Sequence, residues 1–279
     1  MTTRSWPLPE PSRERKCIVD ACSSGNFAIL HSVFTRNGIR RGSTPISGKS
    51  AAFGRPRIEP REIAESIVPP THYLIQRAVA FRHLEIVHHL LFIYPSVSLH
   101  QSFRLARAVL NNPDPEILQV LCEHDRAVAN LSIGDGLITF LTQACTVQLP
   151  EIVPILHVLL DNDADVNAGW GEGGGALFVA IICHQPVEII NKMLSKGARV
   201  SERIAVTAVR QGQVDNVGAL FSSGCVSPIV GVEQCIEEAR IRGDEEIIRI
   251  VANWAQLALH PRPVSADKRS RKKWWTFRT

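Results

Sequence analysis

Asp161, Asp163, Asp165 and Asn167 alternate along the stretch DNDADVNAGWGE, and Glu172 closes it at the twelfth place. Oxygen ligands at that spacing are what a helix–loop–helix calcium site uses to wrap a hard cation. Two positions argue against the metal. The sixth place of such a loop makes a sharp turn that needs glycine, and Val166 stands there. A β-branched residue held in a left-handed conformation costs at least roughly 1–2 kcal/mol. The eighth place, where a large apolar residue pairs one loop with another, is Ala168, and the chain has no second loop of this kind. The plainer reading is a turn between helices, and no metal site is expected.

The other residues with chemical potential are scattered. His83, His88 and His89 lie close together in HLEIVHH, but the H-E-x-x-H order of a zinc protease is missing because Leu84 and Glu85 follow His83. Seven cysteines occur without a C-x-x-C pair, and Cys17 and Cys22 stand too isolated for a zinc cluster. They read as reduced, small core residues. GWGEGGG (169–175) is glycine-rich but lacks the Lys–Ser/Thr pair of a nucleotide loop. It reads as a flexible hairpin tip whose Trp170 either anchors a partner or folds back on its neighbours. No nucleophile–base arrangement has supporting context. The chain is therefore expected to be no enzyme, with no cofactor and no small-molecule substrate.

Charge is distributed unevenly. Residues 36–61 and 260–279 each carry seven basic residues against one acid, +6 apiece, which leaves −8 on the rest of a chain of net charge +4. The first overlaps an interruption at 38–70 that is rich in Gly, Ser, Pro and Arg; its first half reads as a disordered loop, with a short helix expected over 61–68. The second holds KRSRKK, with Lys268, Arg269, Arg271, Lys272 and Lys273 as a candidate nuclear-localisation or polyanion-binding patch. Trp274, Trp275 and Phe277 beside it suit a membrane interface, base stacking or a cap on the last structural element. The N-terminus, MTTRSWPLPEPSRERKC, has charges and prolines where a signal peptide needs an apolar run. No stretch approaches eighteen uncharged apolar residues, so no transmembrane helix is expected.

The elements that must position these residues emerge from a repeat. In AVRQGQVDNVGALFSSG (208–224) an Ala is followed by Gly at +4, an acid at +7, apolar residues at +9, +12 and +13, and Gly at +16. ARIRGDEEIIRIVA (239–252), AVAFRHLEIVHHLL (78–91) and ACSSGNFAILHSVF (21–34) keep most of this pattern. The copy at Ala144 slips late, and those at Ala108 and Ala180 carry one extra residue before the acid. The alanines at 21, 78, 108, 144, 180, 208 and 239 are spaced 57, 30, 36, 36, 28 and 31 apart. Small alanines allow close helix approach, and Gly25, Gly212 and Gly243 suit the left-handed end of a short first helix. The acids Glu85, Glu116, Glu151, Glu188, Asp215 and Glu246 suit the positive end of a second helix. One such pair cannot hide its apolar face alone, so the pairs must stack. Pro113, Pro115, Pro150, Pro154 and Pro186 cluster near second-helix starts, where Pro154 is expected to bend or delay its helix.

These residues resemble the ankyrin repeat, T-P-L-H-x-A-x-x-x-G-H-x-x-I-V-x-x-L-L-x-x-G-A-x-x-N. THYLIQRAVAFRHLEIVHHLL (71–91) matches its front and middle, and LLDNDADVN (159–167) and MLSKGARV (193–200) match its end. The resemblance covers about residues 17 to 255. It implies an all-α fold, an ankyrin-repeat solenoid of about seven helix-pair repeats with hairpin or turn loops. The corresponding organisation is a flexible N-terminus (1–16), a repeat domain (17–259) with a basic insertion (38–70), and a basic, aromatic, disordered tail (260–279). In this frame Asp163 takes the place of the usual Gly, and DNDADVN is the turn between repeats.

Ankyrin-repeat proteins bind partners through loop tips and first helices, so the resemblance implies a non-catalytic protein–protein interaction scaffold. The candidate partner-binding residues are Trp170 and Glu172 at one tip and Arg199 at another. The acidic body implies a partner with a basic segment. The alternatives are a nuclear transcriptional co-regulator acting through a DNA-binding partner, and an enzyme. Some fungal regulators couple such repeats to a basic DNA-reading region, but no basic helix followed by heptads occurs here, which argues against direct sequence-specific DNA binding. The expected location is intracellular, in cytoplasm or nucleus.

Overall fold

The computed structural model describes residues 12–46, 67–99, 103–133, 138–169, 175–223 and 231–259. The chain divides into two compact units, Met1–Arg199 and Val200–Thr279. Both are built almost wholly of short helices, and the fold is all-α.

The first unit holds α1 (Arg13–Ser24), α2 (Phe27–Arg36), α3 (Thr71–Ala80), α4 (Leu84–Ile93), α5 (Phe103–Asn111), α6 (Pro115–His124), α7 (Phe140–Cys145), α8 (Ile152–Asp161), α9 (Gly175–Ile182) and α10 (Val187–Ser195). A 3₁₀ turn (Arg126–Asn130) follows α6, and β1 (Ser132–Ile133) pairs antiparallel with β2 (Ile138–Thr139) to form a two-stranded ribbon before α7. The second unit holds α11 (Glu202–Arg210), α12 (Val214–Ser222), α13 (Val232–Arg242) and α14 (Glu245–Leu259). Helix α1 opens at Arg13, ahead of the Cys17 boundary read from the repeat, because the Ser12 hydroxyl accepts from the Arg15 amide and caps it.

Odd-numbered helices carry the repeated alanines and pack on one another: α1 on α3, α3 on α5, α7 on α9, and in the second unit α11 on α13. Even-numbered helices do the same: α4 on α6, α6 on α8, α8 on α10, and α12 on α14. The alanines explain the first series. Ala78, Ala144, Ala180, Ala208 and Ala239 are completely buried, and Ala21 and Ala108 nearly so. Each sits where a larger side chain would push two backbones apart.

The alanine carbonyl also marks where the first helix stops. It accepts the amide five residues on in five of the pairs: Ala21 from Asn26 (3.0 Å), Ala78 from His83 (2.9 Å), Ala180 from Gln185 (2.9 Å), Ala208 from Gln213 (3.2 Å) and Ala239 from Asp244 (3.0 Å). This closing bond needs a left-handed residue just before it. Gly25, Gly212 and Gly243 supply it with φ of 75°, 68° and 72°, and Arg82 (59°) and His184 (54°) adopt it despite their side chains. The pairs at Ala108 and Ala144 close differently, with bonds from Asn112 (3.2 Å) and Val147 (3.1 Å), so their turns are longer.

Second helices begin and end by equally regular means. Asn26, Asp114 and Asp244 accept amide hydrogens from Ile29, Ile117 and Ile247 at 3.0, 3.1 and 3.1 Å and cap α2, α6 and α14. The acids Glu85, Glu116, Glu188, Asp215 and Glu246 lie in the first turns, where the helix dipole favours them. Pro154 lies in the first turn of α8, where no intrahelical amide bond is lost, and the helix still starts at Ile152. At the other end, Ile39, Ala164 and Ala198 donate to Phe34, Leu159 and Met193, at 2.9, 3.0 and 3.0 Å, each just past a left-handed Gly38, Asp163 or Gly197. Asp163, with φ 59°, fills a glycine position, as the repeat pattern anticipates.

Candidate functional site

Within its described residues, 161–169, the acidic stretch sends its carboxylates to separate partners. Asp161 pairs with Lys192 (2.8 Å) and Asp163 with Lys196 (3.0 Å), both lysines belonging to the next helix pair. Asp165 turns inward on its own loop and accepts the Asn167 amide at 2.9 Å. Ala164 and Val166, between these acids, are buried at 5% and 3% exposure, so the loop alternates core and surface and its carboxylates diverge. Among the described residues no group of three His, Cys, Asp or Glu side chains could hold a metal ion.

What the stretch does build is a ladder between successive loops. The Asn130 side chain donates to the Asp163 carbonyl (3.1 Å) and accepts the Asp165 amide (2.7 Å). One helix pair later, Asn167 donates to the Gly197 carbonyl (2.9 Å) and accepts the Arg199 amide (2.9 Å). A carboxamide has a donor and an acceptor side by side, so it completes two backbone groups of the next loop at once. Arg199 is thereby fixed in its backbone while its side chain is exposed. Trp170 and Glu172 lie outside the described residues, as do Lys268, Arg269, Arg271, Lys272 and Lys273. The helix expected over 61–68 likewise falls mostly outside them.

A second set of links joins the turns between the helices of each pair. His83 bonds through Nε2 to the Ser23 carbonyl at 3.0 Å, and Gln185, at the same repeat position, donates to the Cys145 and Val147 carbonyls at 3.0 and 2.9 Å. In the second unit Arg242 donates to the Arg210 carbonyl at 2.8 Å, and Arg210 pairs with Glu238. His83 thus links one pair's turn to the next.

One surface of the first unit stands apart, a groove of about 600 Å³ lined by α2, α4 and the segment after α2. Its walls carry His31 and Phe34 from α2, His89, Phe92 and Ile93 from α4, and Arg40 and Arg41 from the segment. Phe27, His31, Phe34 and His89 form a ring cluster, with the His31 and His89 centroids 5.4 Å apart and Phe27 edge-on to His89 at 4.8 Å. Phe92 is 54% exposed, and the Arg41 guanidinium lies over its ring at 4.9 Å. Burial, then the neighbouring His31, push the His89 imidazole below its usual pKa, while Glu85 pulls the other way. Its Nε2 is buried and makes no hydrogen bond among the described residues.

The segment holding the arginines is not loose. The Gly42 amide donates to the Ile93 carbonyl (3.0 Å), the Ser43 hydroxyl accepts the Arg40 amide (3.0 Å), and Ile46 and Thr71 exchange two bonds at 3.0 Å. Sequence reading missed this groove because its lining comes from three separate stretches. The visible hint was the Gly-Ile-Arg-Arg-Gly run at 38–42, two arginines bracketed by turn residues directly after a helix.

Five of the cysteines make poor nucleophiles. Burial raises the thiols of Cys22, Cys122 and Cys235 to about 12, and raises those of Cys145 and Cys183 as well. A thiol so raised stays protonated at neutral pH and reacts slowly. Among the described residues no helix is long and apolar enough to cross a membrane. No protein-family model matches the chain, and no curated protein matches it.

Proposed function

We propose that this chain is an ankyrin-type repeat protein, with five helix pairs in the first unit and two in the second, that binds a protein partner on its hairpin-loop tips without catalysis. The observation that carries the reading is the pair of asparagine rungs at Asn130 and Asn167. They repeat the same two bonds one helix pair apart and hold consecutive tips in register. The alanine-to-+5 closing bond, recurring in five pairs, supports the same unit of construction. Loops held in register by their bases present their tips as a row, and such a row is a natural recognition surface.

On this reading Trp170, Glu172 and Arg199 contact the partner, and the −8 left outside the two basic segments favours a basic stretch in it. A photo-crosslinking amino acid placed at Trp170, Arg199 or Glu123, in full-length chain expressed in its own cell, tests this. Glu123 is exposed on α6 and belongs to neither loop of the asparagine rungs. A common partner crosslinked from Trp170 and Arg199 and not from Glu123 is the expected result. Crosslinks from Glu123 alone would overturn it. Fluorescent tagging with and without residues 268–273 decides whether the binding takes place in the nucleus.

A further inference from the structure

We propose that the groove between α2 and α4 is a second recognition surface, and that it takes an acidic segment of a partner polypeptide, with one apolar or aromatic side chain seated between carboxylates.

The lining argues for this occupant. Among the described residues its four ionisable groups, His31, Arg40, Arg41 and His89, are all bases, and no carboxylate lines it. Phe34, Phe92 and Ile93 give it an apolar floor. A large aromatic left 54% exposed beside two arginines matches the anchor-and-charge arrangement of binding hot spots. Arg41 presents its face to Phe92, which leaves the guanidinium edge, with its forked N–H donors, for a carboxylate. The arginines are held for this by the Gly42-to-Ile93 and Arg40-to-Ser43 bonds, so little order has to be gained on binding. The space, about 600 Å³, suits a few side chains and not a folded domain.

Binding should depend on pH. His31 on α2 and His89 on α4 face each other, with Arg40 and Arg41 from the segment on one side and Glu85 on the other. Burial and then His31 disfavour a proton on His89, and an incoming carboxylate opposes that. Affinity is expected to rise roughly three- to tenfold from pH 7.5 to pH 6.

The test is a peptide array probed with the full-length chain. An aromatic residue is flanked by Asp/Glu, by Lys/Arg, by phosphoserine or by Gly/Ser, and single-stranded oligonucleotides are spotted beside them. The expected result is preferential binding of the Asp/Glu class, weakened at least tenfold in R40Q/R41Q, partly in F92A, and unchanged in R199E. R40E/R41E, with far-UV circular dichroism as the folding check, should abolish it. Equal or stronger binding of the basic, phosphoserine or nucleic-acid spots would overturn the proposal, as would full retention of acidic-peptide binding by R40Q/R41Q. R199E separates this surface from the hairpin tips, because it should impair only the crosslinked partner described above.

Discussion

The loops around Asn130 and Asn167 and the groove between α2 and α4 use similar materials to opposite ends. In the loops the asparagines and two of the acids are partnered: each asparagine completes two backbone groups, and Asp161 and Asp163 are neutralised by Lys192 and Lys196. In the groove, among the described residues, Arg40 and Arg41 share the lining with no acid and His89 Nε2 stands unbonded, and Phe92 lies half in water. Satisfied polar groups hold a scaffold in one arrangement, and unsatisfied ones mark where something else can bind. The acids of DNDADVN, which look most like chemistry on paper, are the ones spent on architecture.

The contrast is sharpest in stability. Leu156 is fully buried in α8, and Leu156→Ala should cost about 2–5 kcal/mol in urea denaturation followed by circular dichroism. Phe92→Ala, at an exposed ring, should cost less than about 1 kcal/mol. Comparable losses would mean that the groove is core and not surface. The next effect belongs to a rung. Asn167→Ala removes two hydrogen bonds between loops and should cost roughly 1–3 kcal/mol, with faster hydrogen exchange at the Arg199 amide. An unchanged exchange rate there would remove the rung as the thing that holds the tips.

Much of the framework is legible in the sequence because it is written in local terms. Ala at one place and Gly four residues later predict a helix end, and the Ala21, Ala208 and Ala239 pairs close as that spacing requires. Even the substitutions read correctly: Asp163 stands for glycine and adopts its φ. The groove is illegible for the converse reason. Its walls come from residues 31–35, 38–41 and 89–93, and the segment between is tied down by backbone bonds that leave no side-chain pattern. Its Gly, Arg and Ser content reads as disorder, yet Gly42 and Ser43 are turn residues with definite partners. Ala108 and Ala144 fall between the two cases. Their alanines are visible, but the longer turns after them are set by Pro113–Asp114 and Val147–Pro150 and shift every later position.

Arg82 and His184 provide a finer test of the same framework. Both hold a left-handed φ that their glycine counterparts adopt without strain. Arg82 gains an ion pair with Asp114 at 3.3 Å, which offsets part of its strain. His184 is exposed, and His184→Gly should therefore stabilise the chain by roughly 0.5–1 kcal/mol, the relief of strain less the added freedom of the unfolded chain. A loss of stability in the same denaturation assay would show that the imidazole contributes more than its backbone costs.

The smallest effect returns to the groove and concerns protons. His89 titrates below its ordinary value of 6.5 in the folded chain, chiefly from burial and then from His31, against a smaller opposite pull from Glu85. The unfolded chain takes up this proton more readily than the folded one, so stability is intact above about 6.5 and falls as pH drops through the depressed folded value. His89→Gln, which cannot titrate, should flatten that part of the profile while leaving stability at pH 8 nearly unchanged. Urea midpoints at half-unit steps between pH 5 and 8 would show it. An acidic peptide bound in the groove should reverse the slope, since it favours the protonated His89 imidazole. A profile identical in wild type and His89→Gln, with and without peptide, would detach the histidines from the groove and leave its two arginines as the only charges that matter.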